Sequence, residues 1–284
     1  MVALWLPPVH VHLDVLALMA ALEGGYLLAI RRLGPRLTGA GEPVATRGQV
    51  VSYSLGVLTL LVAAEWPIHD LAEGYLFSVH MVQHTLISLV APPLLLLGMP
   101  AWLLRWLLSP RWLHAVAAQL TRPLIALINF NLVIALTHWA PVVDFILNHH
   151  GVHLAAHVVL FATATFMWWP VISPLPEMPT LSYPMRMVYL FLQSLLPTIP
   201  ASFLTFGTSP LYVFYAAAPR VWGISALTDQ LIAGLIMKLV GGAILWTAIG
   251  IIFFKWWRLE QRTGWDELQW SSAEREIRSG LHRP

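Results

Sequence analysis

Seven stretches of close to twenty apolar residues, joined by short loops, constrain this chain more than any other feature. They run over Leu13–Ile30, Gly48–Ala64, Leu76–Gly98, Pro123–Trp139, Gly151–Pro170, Arg186–Phe206 and Leu231–Phe254. About 20 residues at ~1.5 Å rise each cross the ~30 Å apolar core of a bilayer. Of single segments, only helices satisfy all their own backbone groups there. The predicted fold is therefore all-α: a polytopic membrane protein of seven transmembrane helices embedded in the lipid bilayer. Composition agrees, since 58% of residues are hydrophobic and 11% charged, where a soluble protein carries about 25% charged residues. A soluble enzyme, a secreted domain and a disordered chain are excluded. There is no cysteine, which removes disulfides and thiolate metal sites. The net charge of +2 gives no footing for nucleic acid. Residues 1–254 form one predicted transmembrane domain. Residues 255–284 form a charged tail whose WDELQWSSAEREIRSG stretch suits an amphipathic surface helix. The first span reads as retained, because no Lys or Arg precedes it and no small-residue cleavage site follows it.

Cationic residues set the expected orientation. The loops with Arg31, Arg32, Arg36 and Arg47, with Arg105, Arg111 and Arg122, and with Arg186 all fall on one side. So does the tail with Lys255, Arg258, Arg262, Arg275, Arg278 and Arg283. Only Arg220, on the opposite side, and Lys238, inside the seventh span, lie elsewhere. The positive-inside rule then places the N-terminus outside and the C-terminus in the cytoplasm of a cytoplasmic (inner) membrane. Trp66, Trp139 and Trp222 fall at outer span ends; Trp102, Trp106, Trp168, Trp169, Trp256 and Trp257 fall at inner ones, as interfacial belts do.

Histidine is distributed as unevenly as arginine, and in the opposite sense. His10, His12, His69, His80, His84, His138, His149, His150, His153 and His157 lie in outer segments or the outer third of a span. Only His114 and His282 lie on the cytoplasmic side. His149, His150, His114 and His282 read as interfacial or solvated. His80 and His84, like His153 and His157, are spaced i,i+4, which puts both imidazoles on one helix face. Two such faces supply four nitrogens, and His138 closes the fourth span at the same depth. Ionisable groups inside a span are costly and usually functional, so these five are the candidate metal ligands.

Imidazole suits copper, zinc, iron and nickel, and thioether is softer. Met81 and Met237 lie at suitable depths and lean the choice towards Cu(I), with zinc as the alternative; packing is the plainer reading of Met81. Asp229 and Gln230 open the seventh span and are read either as orienting a ligand imidazole or, for Asp229, as a helix N-cap. His10, His12 and Asp14 alternate, as a loose capture site or a simple polar lead-in would. Glu65, His69, Asp70 and Glu73 form a mouth without Lys or Arg, which attracts cations. Glu23 and Lys238, both within spans, are read as a structural ion pair worth ~3 kcal/mol or more. Asn129, Asn131 and Gln193 serve as interhelical polar contacts. Pro92-Pro93 and Pro197-x-x-Pro200 free backbone carbonyls that need internal partners.

The stretch HMVQHTLISLVAPPLLLLGMP resembles the signature of the CtaG family, seven-span assembly factors of caa(3)-type cytochrome c oxidase. THWAPVVDFILNHHGVHLAAHVVLF with MWWPVI resembles the family's histidine-rich region, and LTDQLIAGLIM its seventh-span start. The resemblance covers roughly residues 50–255. It implies maturation of the copper centre in the oxidase catalytic subunit, with copper taken from an extracytoplasmic donor and no enzymatic step. Positions matching the pattern are His80, Met81, Gln83, His84, His153, His157, Asp229, Gln230 and Met237. Ala156, Ala233 and Lys238 depart from it. Two other classes stay open on the residues. An intramembrane zinc hydrolase needs three ligands, a water and a general base such as Asp70 or Asp229, but no HExxH helix is present. A haem-binding protein wants single histidines on two facing helices. A metal-ion channel is disfavoured by the apolar inner halves of the spans.

Overall fold

The computed structural model describes residues 5–39 and 41–281, with side chains described as far as Arg262. Its principal helices are α1 (Leu13–Arg32), α2 (Arg47–Ala64), α3 (Ile68–Gly74), α4 (Phe77–Gly98), α5 (Arg111–Leu120), α6 (Pro123–Thr137), α7 (Ala140–Leu147), α8 (His150–Ile172), α9 (Tyr183–Phe206), and α10, which starts at Ala226 and runs to Leu281. No strand occurs among the described residues. Six helices are long and apolar enough to cross a membrane. A seventh span results if α5 and α6, bent by 77° at their junction, count as one. The expected fourth span is thus the weakest: α6 alone has 15 residues, about 22 Å at 1.5 Å per residue. The tail is continuous with the seventh span rather than a separate helix. Its side chains beyond Arg262, and His282, lie outside what is described.

Helix α4 carries His80 and His84, and three features fix it in the bundle. At its N-terminus Asp229, at the start of α10, accepts from the backbone N–H groups of Phe77 and Ser78 at 2.7 and 3.0 Å. These donors have no partner within their own helix, so the buried carboxylate of one span caps another. In the middle, Leu86–Val90 forms a π turn. Pro92 and Pro93 follow it and have no N–H to offer. The carbonyl of Ser88 instead accepts from the Trp168 indole of α8 at 3.1 Å, which is the internal partner a prolyl break in a membrane requires. Trp168 and Trp169 are accordingly core residues, not the interfacial belt their position predicted. At the C-terminus, Gly98 packs on α2 so closely that a Cβ would meet the backbone N of Tyr53 at 2.4 Å. Tyr26 of α1 donates to the Gly98 carbonyl at 2.8 Å and stacks on Tyr53 at 3.8 Å.

Two intramembrane polar readings separate here. Asn131 of α6 does donate to Gln193 of α9 at 2.7 Å. The Glu23–Lys238 pair does not form. Glu23 accepts from the Ser54 hydroxyl of α2 at 2.6 Å, while Lys238 is exposed on the second π turn, Ile236–Val240, of α10. Helix α1 packs on α2, which takes Glu23 to Ser54 instead. Glu23→Ala is therefore expected to destabilise the protein by no more than about 1–2 kcal/mol, the range of a single hydrogen bond. A thermal unfolding series in detergent with Lys238→Ala and the double variant checks this. Strong coupling between the two changes would restore the ion pair.

Candidate metal centre

At the end of the bundle that carries the histidines, α4 and α8 turn their i,i+4 faces towards each other. The ring centroids of His80 and His84 are 4.2 Å apart, and those of His153 and His157 4.4 Å. Across the helices, His80 lies 5.6 Å from His153 and 5.9 Å from His157, and His84 lies 5.3 Å from His157. His138, just past α6, approaches His84 at 6.0 Å. All five predicted ligands are thus in one cluster. The tightest set is His80, His84 and His157, whose ligand nitrogens all lie within 4.8 Å of one another. Four-coordinate ions with ~2 Å bonds place their ligands about 3.3 Å apart, a difference that small ring rotations close.

The hydrogen bonding of these rings is incomplete in a directed way. His153 Nδ1 donates to Glu73 Oε1 at 2.6 Å, and His138 Nδ1 to the Ile134 carbonyl at 2.7 Å. A carbonyl or carboxylate oxygen can only accept, so the hydrogen sits on Nδ1, and in the neutral ring Nε2 keeps its lone pair. A ligand imidazole held by a carboxylate or carbonyl on its far nitrogen is the usual second layer of a metal site. Nε2 of His138, His153 and His157, and Nδ1 of His80 and His84, are buried without a hydrogen-bond partner. Each such atom costs about 1–3 kcal/mol, and a metal ion would satisfy several at once. Beside them lies a cavity of ≈ 20 Å³, lined by His80, His84, His153, Ala156 and His157 among others. That holds one water-sized body, an ion but not a porphyrin.

The remaining predicted residues take varied places. Met81 is buried and, with Met237, lines a second cavity of ≈ 60 Å³ beneath His84 and His138. Both methionines also pack against the Phe77, Tyr212 and Tyr215 cluster. Asp229 and Gln230 orient no imidazole. Asp229 caps α4, Ser225 is the N-cap of α10, and Gln230 accepts from the Leu211 N–H at 2.7 Å. His69 lies 3.2 Å from Gln83 Nε2 and 3.4 Å from Glu73 Oε1. Asp70 meets His10 at 3.1 Å and His12 at 3.6 Å. His149 and His150 are exposed, as is His114 at the opposite end. The residue that sequence reasoning undervalued is Glu73. The sequence places it in an acidic mouth; in the structure it orients His153. The i,i+4 spacing of His69 and Glu73 was the available signal.

The sequence pattern of the cytochrome c oxidase caa3 assembly factor family matches residues 24–259. An uncharacterised protein of Mycobacterium bovis is 23% identical over 222 residues, 70% of this chain and 31% of that protein. One from Mycobacterium leprae is 27% identical over 244 residues, 79% of this chain and 34% of that protein. The chain therefore spans about a third of the length of these curated relatives. No solved structure matches. The family match takes in every residue of the imidazole cluster, while the N-terminal His10 and His12 lie outside it. The chain belongs to the CtaG family of cytochrome c oxidase caa3 assembly factors.

Proposed function

We propose that this protein handles copper during assembly of cytochrome c oxidase. The ion is cargo: His80, His84 and His157 hold it, His138 and His153 complete the set, and the oxidase catalytic subunit receives it for its copper centre. The reading rests on one observation above others, the five buried imidazole nitrogens without partners, four of them on histidines that line the narrow cavity. Met81 and Met237, which share the adjoining cavity with His84 and His138, favour Cu(I) over zinc, because thioether is the softer ligand. The histidine end faces away from the cytoplasm of an inner membrane, where an extracytoplasmic donor supplies copper. His10 and His12 make the first contact. The role is read as non-enzymatic, in keeping with the assembly-factor family; of the two bases a zinc hydrolase could use, Asp70 and Asp229, the second is taken up in capping α4.

Metal analysis of detergent-purified protein tests the site, with the wild type compared against His80→Ala/His84→Ala. Copper in the first and none in the second is expected; equal copper in both would sink the reading. Orientation follows separately from the arginine distribution. A reporter active only outside the cytoplasm should work near Asp70 and fail after Leu281, and the opposite pattern would move the cluster to the wrong face.

A further inference from the structure

Beyond the imidazole cluster lies a second group of ligand-bearing side chains, carried partly by the N-terminal segment. That segment is fastened across the histidine end. The Trp222 indole donates to the Trp5 carbonyl at 2.8 Å, and the Trp66 indole to the Pro7 carbonyl at 3.0 Å. The His12 N–H reaches Glu65 at 3.4 Å. His12 Nε2 thereby lies 3.6 Å from Asp70 Oδ2, and its ring stands edge-on to His69 at 4.8 Å. Three atoms here repeat the pattern of the inner cluster: His12 Nε2, Glu65 Oε1 and Asp70 Oδ2 are each buried without a hydrogen-bond partner. No described Lys or Arg offsets the carboxylates, and His10 Nδ1 holds the other Asp70 oxygen at 3.1 Å. Arg220, the arginine of this end, is turned onto the carbonyls of Tyr215 and Ala218.

The group is also continuous with the inner cluster. From Asp70 the steps are His12, His69 at 4.8 Å from it, Glu73 at 3.4 Å, and His153 at 2.6 Å. His153 then stands 4.4 Å from His157 and 5.6 Å from His80. The groups before the inner cluster keep access to the outside: His12 retains 29% of its side-chain accessibility, Asp70 14% and Glu73 28%, against 5% for His153. Imidazole with carboxylate oxygen makes a mixed, labile ligand set, whereas the inner set is all imidazole.

We propose that His12 and Asp70, whose Nε2 and Oδ2 face each other at 3.6 Å, form a second, weaker transition-metal site at the mouth, from which the ion passes over His69, Glu73 and His153 to the inner imidazoles. This rests on the copper reading above and adds the port through which the cargo enters. Each transfer is a ligand exchange with no change of oxidation state. Glu73 is the hinge of the path, since its Oε1 touches one imidazole on either side. The mouth also concentrates cations, and a cleft lined by one sign of charge raises association rates by about 10- to 1000-fold.

The test titrates the full chain in detergent with Cu(I), under excess reductant, against a chromophoric chelator, and follows loading by stopped flow. The wild type should bind a tight equivalent and a weaker one. His12→Ala/Asp70→Asn should lose the weaker equivalent, keep the tight one and load it on the order of tenfold more slowly. Retention of the tight equivalent also reports that this variant is folded. His84→Ala should do the converse. A wild type with a single equivalent, or a double variant that loads at the wild-type rate, would overturn the mouth site and leave the inner centre standing. A wild type that binds no copper would overturn both.

Discussion

Replacing His84 by alanine is expected to weaken copper binding by at least about 100-fold, the upper end of what loss of a ligand's outer hydrogen-bond partner does. His84 is central to the cluster, within 4.2 Å of His80, 5.3 Å of His157 and 6.0 Å of His138 by ring centroid. Alanine removes a proposed ligand that no neighbour can replace from the same helix turn. The fold should survive, because the lost group is a buried imidazole with an unsatisfied nitrogen and its removal relieves a desolvation cost. His157→Ala should behave alike. His114→Ala, at the far end of the bundle, should leave binding unchanged. Affinity in the wild type should also fall on acidification, since ligand imidazoles must be neutral. Chelator competition alongside thermal unfolding distinguishes the cases. If His84→Ala and His157→Ala lose folded protein in proportion to lost copper, the imidazoles serve packing and the metal assignment is wrong.

The second large effect is on stability. Asp229→Ala should destabilise the protein by about 2–4 kcal/mol, from the loss of two charge-assisted hydrogen bonds at a helix N-terminus. The carboxylate is 1% exposed and accepts from the N–H groups of Phe77 and Ser78; alanine leaves both donors buried and unpaired. Because α4 starts there and His80 lies within its first turn, copper affinity should fall together with stability. Asp229→Asn retains one acceptor oxygen and should lie between wild type and alanine. Unfolding of the three proteins in one detergent gives the ranking. An alanine variant as stable as the wild type would show that the cap carries no weight.

These two residues mark how far the sequence was readable. The i,i+4 spacing of His80/His84 and His153/His157 sufficed to place each pair on one face, because helix periodicity is local and a membrane leaves few other structures open. The same reasoning misplaced Asp229, which sits beside Thr228 and resembles a cap of its own helix. Its partners are 152 and 151 residues away in sequence. It also misplaced Trp168, whose hydrogen bond to Ser88 exists only because Pro92 frees that carbonyl and α8 lies beside α4.

Sequence alone determined the all-α class, the approximate spans and the gathering of the paired histidines at one end of the bundle. Each follows from hydrophobic length, charge and helical spacing, which are properties of contiguous residues. Tertiary structure decided the rest. It set α5 and α6 at 77°, gave Glu23 to Ser54 instead of Lys238, and set Glu73 against His153. All three depend on which helices are neighbours and how each is rotated about its axis. In a bundle whose surfaces are apolar nearly all round, the hydrophobic pattern does not encode that rotation. Buried polar groups do, because each must find a partner, and here those partners lie on other helices.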